Sequence, residues 1–196
     1  YDRDVAAVAA LPVAAVVLPK AEDAETCGIV AGATGKPVIA LVESAAGLAR
    51  ARAIAAADGV ARLAFGSIDF CADLGCEHLR EVLLPARSEL VLASRLAGLP
   101  GPLDGVTVQL DDPSFTRDDA RHACAMGMTG KLTLRAEQTD TINHGLAPSD
   151  TEIKWAAELL DEHEHGGGSR DGSYAPRLAR AQKIRNLGES YGLWTS

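Results

Sequence analysis

Four acidic residues and one lysine stand where apolar runs of this 196-residue chain end. Lys20 follows "VAAVVLP", Glu43 follows "PVIALV", Asp69 comes shortly after "VARLAFG", and Asp111 with Asp112 follows "LDGVTVQL". If those runs are neighbouring parallel strands, about 4.8 Å apart, Glu43 and Asp69 converge on one point. Two carboxylates meeting in a partly buried place repel, so one is protonated or a cation sits between them. A hard divalent ion held by one or two carboxylates, with waters and substrate oxygens completing the shell, is the usual Mg²⁺ arrangement. The competing reading is that these acids cap the helices that follow. Their shared position favours the metal for Glu43 and Asp69. For Asp111 and Asp112, just before Pro113, capping is favoured.

The other candidates are weaker. His163 and His165 in "DEHEH" read as a solvated helix end, and His78, His122 and His144 have no partner at metal-ligand spacing. Ser88 lies mid-helix, unlike a nucleophile on a strand-to-helix elbow. Asp73 suits the turn that follows it better than a metal.

The elements that must position the acids alternate regularly. Strands are expected at Val13–Pro19, Pro37–Glu43, the run "VARLAFG", Leu103–Leu110 and Gly130–Leu134. Ala-rich helical stretches separate them, among them "AEDAETCGIVAGA", "SAAGLARARAIAAA" with Ser44 as its cap, and a long segment interrupted near Pro85. A further helix is expected from about Pro113 to Gly127. Strands apolar on both faces and alternating with helices imply a parallel sheet covered by helices. Strand ends recur about every 24 residues, doubled once, which is the cadence of a (β/α) barrel. A doubly wound sheet would need a Gly-rich phosphate loop after its first strand, and "LPKAEDAE" is not one.

The expected fold class is therefore α/β, a (β/α)₈ TIM barrel of which this chain supplies about the last five βα units plus C-terminal helices. The missing units are expected before Tyr1 or from another chain, and without them two apolar sheet edges lie open. Residues 1–148 are read as the βα units. Residues 149–196 are read as helices and a mobile loop at Gly166–Gly168, all within one domain. Ser149 and Glu152 form a capping box for "APSDTEIKWAAELLDEHEH", and the last helix has Gly188 near its end.

Bulk composition narrows the classes. A formal net charge of -8 argues against a nucleic-acid partner. The longest apolar run is broken by Pro12 and Pro19 and is too short for a bilayer, so no membrane partner is expected. "YDRDV" has neither region of a signal peptide. Cys27, Cys71, Cys76 and Cys124 lack CxxC spacing and read as free thiols of a reducing, cytoplasmic setting.

The stretches "VVLPKAED", "VIALVESAAGL", "LAFGSIDFCADLG", "LLPARSELVLASRLAGLPGPLDGVTVQLDD" and "LAPSDTEIKWA" occur in order over nearly the whole chain. In them the chain resembles the citrate lyase β-subunit branch of the HpcH/HpaI aldolase/citrate lyase family. The resemblance implies a (β/α)₈ barrel assembled as a homotrimer or hexamer. It also implies an Mg²⁺-dependent lyase acting on 3-hydroxyacyl thioesters of coenzyme A, with an acyl thioester and a 2-oxo acid as small-molecule partners. The family's metal ligands map onto Glu43 and Asp69, and its strand-end lysine onto Lys20, a candidate catalytic residue. Backbone N–H groups at Gly66, Ser67, Ile68 and Asp69 would bind the carboxylate of the 2-oxo acid.

Two segments depart from the family pattern. Arg135 and Ala136 in "LRAEQ" replace a His-Pro pair, and "DGSYAP" places Tyr174 near the position of a catalytic aspartate. Tyr174 or Asp171 is the candidate substitute for that acid. The family's substrate-binding arginine belongs to a segment preceding the first strand here. The alternatives are a thioesterase or a 2-oxo acid aldolase on the same scaffold, or a non-catalytic paralogue that binds acyl thioesters.

Overall fold

β-Branched and aliphatic runs of three to six residues make the central strands, and alanine-rich runs between them make the covering helices. The computed structural model describes residues 2–166 and 171–194, so Gly167 and Gly168 of the expected mobile loop lie outside the described residues. Two compact units result, Tyr1–Leu146 and Ala147–Ser196.

The first unit opens with α1 (Asp2–Ala10), followed by β1 (Val16–Leu18), α2 (Ala24–Thr34) and β2 (Val38–Val42). Next come α3 (Ala45–Ala49), α4 (Ala51–Ala55), β3 (Val60–Phe65), α5 (Ser67–Leu74) and α6 (Arg80–Leu96). The unit finishes with β4 (Leu103–Asp104), α7 (Pro113–Met126), β5 (Gly130–Lys131), a 3-10 turn at Ala136–Gln138 and α8 (Thr139–Leu146). The strands form one sheet in the order β1-β2-β3-β4-β5, and each pairing is parallel. Sequential order without a reversal excludes the doubly wound alternative and matches five adjacent strands of a (β/α)₈ barrel.

Register follows from burial. Val38, Ala40 and Val42 of β2 are fully buried, as are Leu63 and Phe65 of β3, and they pack with Ile54, Leu83 and Leu90 from the helices. Ile39 and Leu41, on the other face, are only half-buried. At the edge, Val17 of β1 is 56% exposed, the open apolar edge that a partial barrel implies.

Several expected boundaries shift. α6 runs through Pro85 without a break. Pro85 is exposed, so the Glu81 carbonyl that loses its N–H partner can be hydrated instead. The helix after β2 is two short helices, because Arg50 leaves helical geometry at φ -111, ψ 9. β4 and β5 span two residues each rather than the longer runs expected, since only the starts of those runs pair with neighbours. α1, α5 and α8 are helices beyond those that the sequence pattern marks.

The second unit is a pair of helices, α9 (Asp150–Glu164) and α10 (Tyr174–Ser190). Ser149 and Glu152 form the expected capping box. Ala156, Leu159, Ala181 and Ile184 are its core. α10 continues past Gly188, where a Cβ would lie 3.4 Å from Trp194. Among the described residues no helix is long and apolar enough to cross a membrane.

Leu90 of α6 is fully buried against the sheet. Leu90→Ala is expected to lower unfolding stability by about 2–5 kcal/mol. A urea titration would read this as a lower midpoint at unchanged slope.

Candidate active site

Three strands end side by side, and the register decides what meets there. Val42 pairs with Phe65, so the next residues, Glu43 and Gly66, leave the sheet together. The Gly66 N–H still donates to the Val42 carbonyl at 2.9 Å. On the other side the Ala21 N–H donates to the Leu41 carbonyl at 3.0 Å, which brings the chain at Lys20 over Glu43. The Lys20 N–H then donates to Glu43 Oε1 at 2.9 Å.

That bond comes with strain. Lys20 has φ 49 and is the one non-glycine in the left-handed region among the described residues. Such a conformation persists only where the surroundings over-determine it, and it clusters at functional sites. The Lys20 side chain is exposed. Gly66 is required for space rather than for φ: a Cβ there would lie 2.5 Å from both Cβ and Oε2 of Glu43.

α5 begins at this point. Gly66 is its N-cap, with no side chain to accept from the first turn. The N–H groups of Ser67, Ile68 and Asp69 therefore have no carbonyl partner within the helix, as in the first turn of any helix. Asp69 sits in that first turn, exposed, with its carboxyl within hydrogen-bond reach of Glu43. Ile68 is exposed, whereas Ser67 is buried, its hydroxyl 2.9 Å from His78 Nε2.

Glu43 is only 5% exposed. Burial pushes its carboxyl above the ordinary glutamate value; the Lys20 N–H opposes that, and the neighbouring Asp69 carboxyl adds to it. The pair is therefore prepared to share either a proton or a cation. Among the described residues no group of three or more His, Cys, Asp or Glu is gathered for a metal. A hard ion here would depend on two carboxylates plus waters and substrate oxygens.

The loops around the pair are tied together. Ser44 caps α3, accepting from the Gly47 N–H at 3.1 Å, and its hydroxyl donates to Glu22 Oε1 at 2.7 Å. Asp73 accepts from the Ala45 N–H at 2.7 Å. Asp73 thus serves the start of α3 rather than its own following turn. Asp112 caps α7 as expected, accepting from the Ser114 N–H at 2.8 Å, and Asp111 stands exposed.

Glu43, Asp69, the Lys20 backbone and the Gly66–Ser67 turn are thus brought together in the first unit. Tyr174 belongs to the second unit, where its hydroxyl lies 2.9 Å from His163 Nδ1. Glu22 and His78 carry no sequence pattern that would single them out. The one available signal for His78 was a histidine following a chain reversal at Gly75.

The model of the HpcH/HpaI aldolase/citrate lyase family matches residues 2–136, and that of the HpcH/HpaI aldolase C-terminal domain matches residues 151–192. The chain belongs to the HpcH/HpaI aldolase/citrate lyase family. A citrate lyase subunit beta-like protein of Deinococcus radiodurans is 34% identical over 158 residues, covering 76% of this chain and 55% of that protein. A citrate lyase subunit beta-like protein of Mycobacterium tuberculosis is 31% identical over 200 residues, covering 96% of this chain and 72% of that protein. The crystal structure of protein CitE from Mycobacterium tuberculosis, in complex with magnesium, acetoacetate and coenzyme A, superposes with a TM-score of 0.82 at 29% identity. That match covers 95% of this chain and 73% of the crystallised one. The chain thus spans between about half and three-quarters of the length of these relatives.

The raised Glu43 pKa has a thermodynamic consequence. An acid whose folded pKa exceeds its unfolded value, 4.5, binds protons more tightly when folded. Stability therefore falls as pH rises from about 4.5 through the folded pKa. Without divalent metal, Glu43→Gln is expected to melt at a higher temperature than the parent chain at pH 7, with the gain vanishing below pH 4.5. Thermal melts across pH would check it.

Proposed function

We propose that this protein is an Mg²⁺-dependent carbon–carbon lyase. Its substrate is a 3-hydroxyacyl thioester of the citryl-, malyl- or citramalyl-coenzyme A kind, and its products are an acyl thioester and a 2-oxo acid. The observation that carries the reading is the contact of buried Glu43 with Asp69 beside a glycine that a side chain would close. Two carboxylates, one with its pKa raised, fit a hard divalent ion better than a soft one. Magnesium, when bound, supplies Lewis-acid stabilisation of the oxygen that becomes the ketone.

The residues of the chain divide the remaining work. Glu43, fixed by the Lys20 N–H, and Asp69 would hold the ion between them. The first-turn N–H groups of Ser67, Ile68 and Asp69 would bind the carboxylate that leaves as part of the 2-oxo acid. Lys20 adds positive charge, near enough to Glu43 to favour its ionised form. In the reaction the hydroxyl loses its proton and becomes the carbonyl. The adjacent C–C bond breaks, its electron pair passes to the thioester enolate, and the enolate carbon takes up a proton. No step is assigned to Tyr174. Assembly as a homotrimer or hexamer and a cytoplasmic location belong to the same reading.

Calorimetric titration with Mg²⁺ and then oxaloacetate is expected to show saturable binding that Glu43→Ala abolishes. Release of acetyl-CoA from a panel of 3-hydroxyacyl-CoA esters identifies the substrate. Glu43→Ala and Gly66→Ala are each expected to lower the rate by on the order of 100-fold. Binding without any cleavage would leave the non-catalytic paralogue. Release of free coenzyme A without a 2-oxo acid would indicate a thioesterase, and absence of both binding events would end the enzyme reading.

A further inference from the structure

Among the buried polar groups outside that scheme, Asp104 of β4 is answered on both oxygens, by Arg87 Nε at 2.7 Å and Lys131 Nζ at 3.0 Å. The thiols near the end of α5 have no such structural role. Cys71 is 7% exposed and belongs to the core of the first unit, and the half-buried Cys76 packs against that core. Both are free thiols. Cys27 and Cys124 lie elsewhere, on α2 and α7.

The way α5 ends brings Cys71 and Cys76 together. Gly75 leaves the helix at φ 67, a left-handed conformation that glycine takes without steric cost, and its N–H donates to the Cys71 carbonyl. The next N–H, that of Cys76, donates to the same carbonyl at 3.1 Å. This closure from Cys76 back to Cys71 is the long bond of a Schellman motif, which commonly sets the side chains at its two ends against each other. In most helices that contact joins two apolar groups. Here both are thiols, and that of Cys76 lies within hydrogen-bond reach of Cys71. The backbone thus supplies the proximity that a disulfide requires.

We propose that Cys71 and Cys76 form a reversible modification site, a dithiol that closes to a disulfide by exchange with a low-molecular-weight disulfide. Cys76, the more exposed, attacks as its thiolate, forms a mixed disulfide and expels one half of the reagent as a thiolate. Cys71 then loses its proton and attacks Cys76 Sγ, and the second half of the reagent leaves. The reagent is reduced to two thiols, taking up the two electrons and two protons that the pair gives up. Burial pushes the Cys71 thiol up to about 11, which slows the closing step, but the disulfide is uncharged and burial does not oppose it. The cross-link would fasten the C-terminal end of the helix whose first turn carries Asp69.

The test equilibrates the full chain in buffers of graded ratio of reduced to oxidised glutathione, then alkylates the remaining thiols under denaturing conditions. Trypsin releases both cysteines in one peptide, Leu63–Arg80, because Arg62 and Arg80 bound it. Its mass separates the dithiol, alkylated on both sulfurs, from the mixed disulfide, which carries one glutathione, and from the disulfide, which carries neither group and has lost a pair of hydrogens. The disulfide is expected to accumulate as the buffer turns oxidising and to revert in reducing buffer, with the mixed form staying minor. Its equilibrium constant should be at least about tenfold larger in the folded chain than in the chain unfolded in urea, where the contact is not pre-formed. Cys71→Ala should stop the exchange at the mixed disulfide on Cys76. Cys76→Ser should leave Cys71 alkylated and without glutathione, since burial shields it. Near-UV circular dichroism checks that each variant is folded. The proposal is overturned if the peptide keeps both alkyl groups throughout, if the parent accumulates the mixed form, if closure is no more favourable folded than in urea, or if the bond joins two copies of the chain. These readouts need neither Mg²⁺ nor lyase activity, so failure of the lyase reading leaves them unaffected.

Discussion

The pairing of β2 with β3 is the constraint on which the strand-end site depends. Val42 lies opposite Phe65 because both belong to the buried faces of their strands, packed in one core with Ile54 and Leu90. A slip of one residue would turn those faces outward, so the register is held by the whole core. With that register, Glu43 and Gly66 have to be neighbours. The glycine then leaves the volume that the buried carboxylate occupies, and α5 starts at the next residue. Packing on one side of the sheet thus sets the chemistry at its end.

A buried carboxylate beside another one is unfavourable by itself, and the surrounding loops are arranged to hold it. Lys20 adopts a left-handed conformation to give Glu43 a backbone donor. Glu22 ties the loop after β1 to Ser44, and Asp73 ties the end of α5 to the start of α3. Three loops from three strands are therefore cross-linked through side chains on either side of the carboxylate pair. Pre-organisation of this kind limits the reorganisation that a charged ligand would otherwise require. The Asp104 cluster shows the same logic one step along the sheet, where two cations offset the desolvation of one buried aspartate.

The alternation of strands and helices was legible because its cause is local: β-branched runs and alanine-rich runs have different periods and propensities. The same applies to the caps, where Ser44, Asp112 and Ser149 behave as their residue types predict. α5 was not legible. Its sequence, "SIDFCADL", follows the strand after a single glycine, and no capping side chain marks its start. Pro85 misled in the opposite direction, because an exposed proline in a long amphipathic helix removes one hydrogen bond without ending it.

By itself the sequence determined the parallel α/β class, the barrel cadence, and the positions of Glu43 and Asp69 at strand ends. Those properties follow from residue type and spacing along the chain. The tertiary structure decided that Asp69 reaches Glu43 from the first turn of a helix, that Lys20 contributes a backbone N–H, and that Ser67 is held by His78. It alone gathered Arg87 and Lys131, 17 and 27 residues away along the chain, around the buried Asp104. Burial and orientation come from packing between distant segments, and no local pattern encodes which charges will meet.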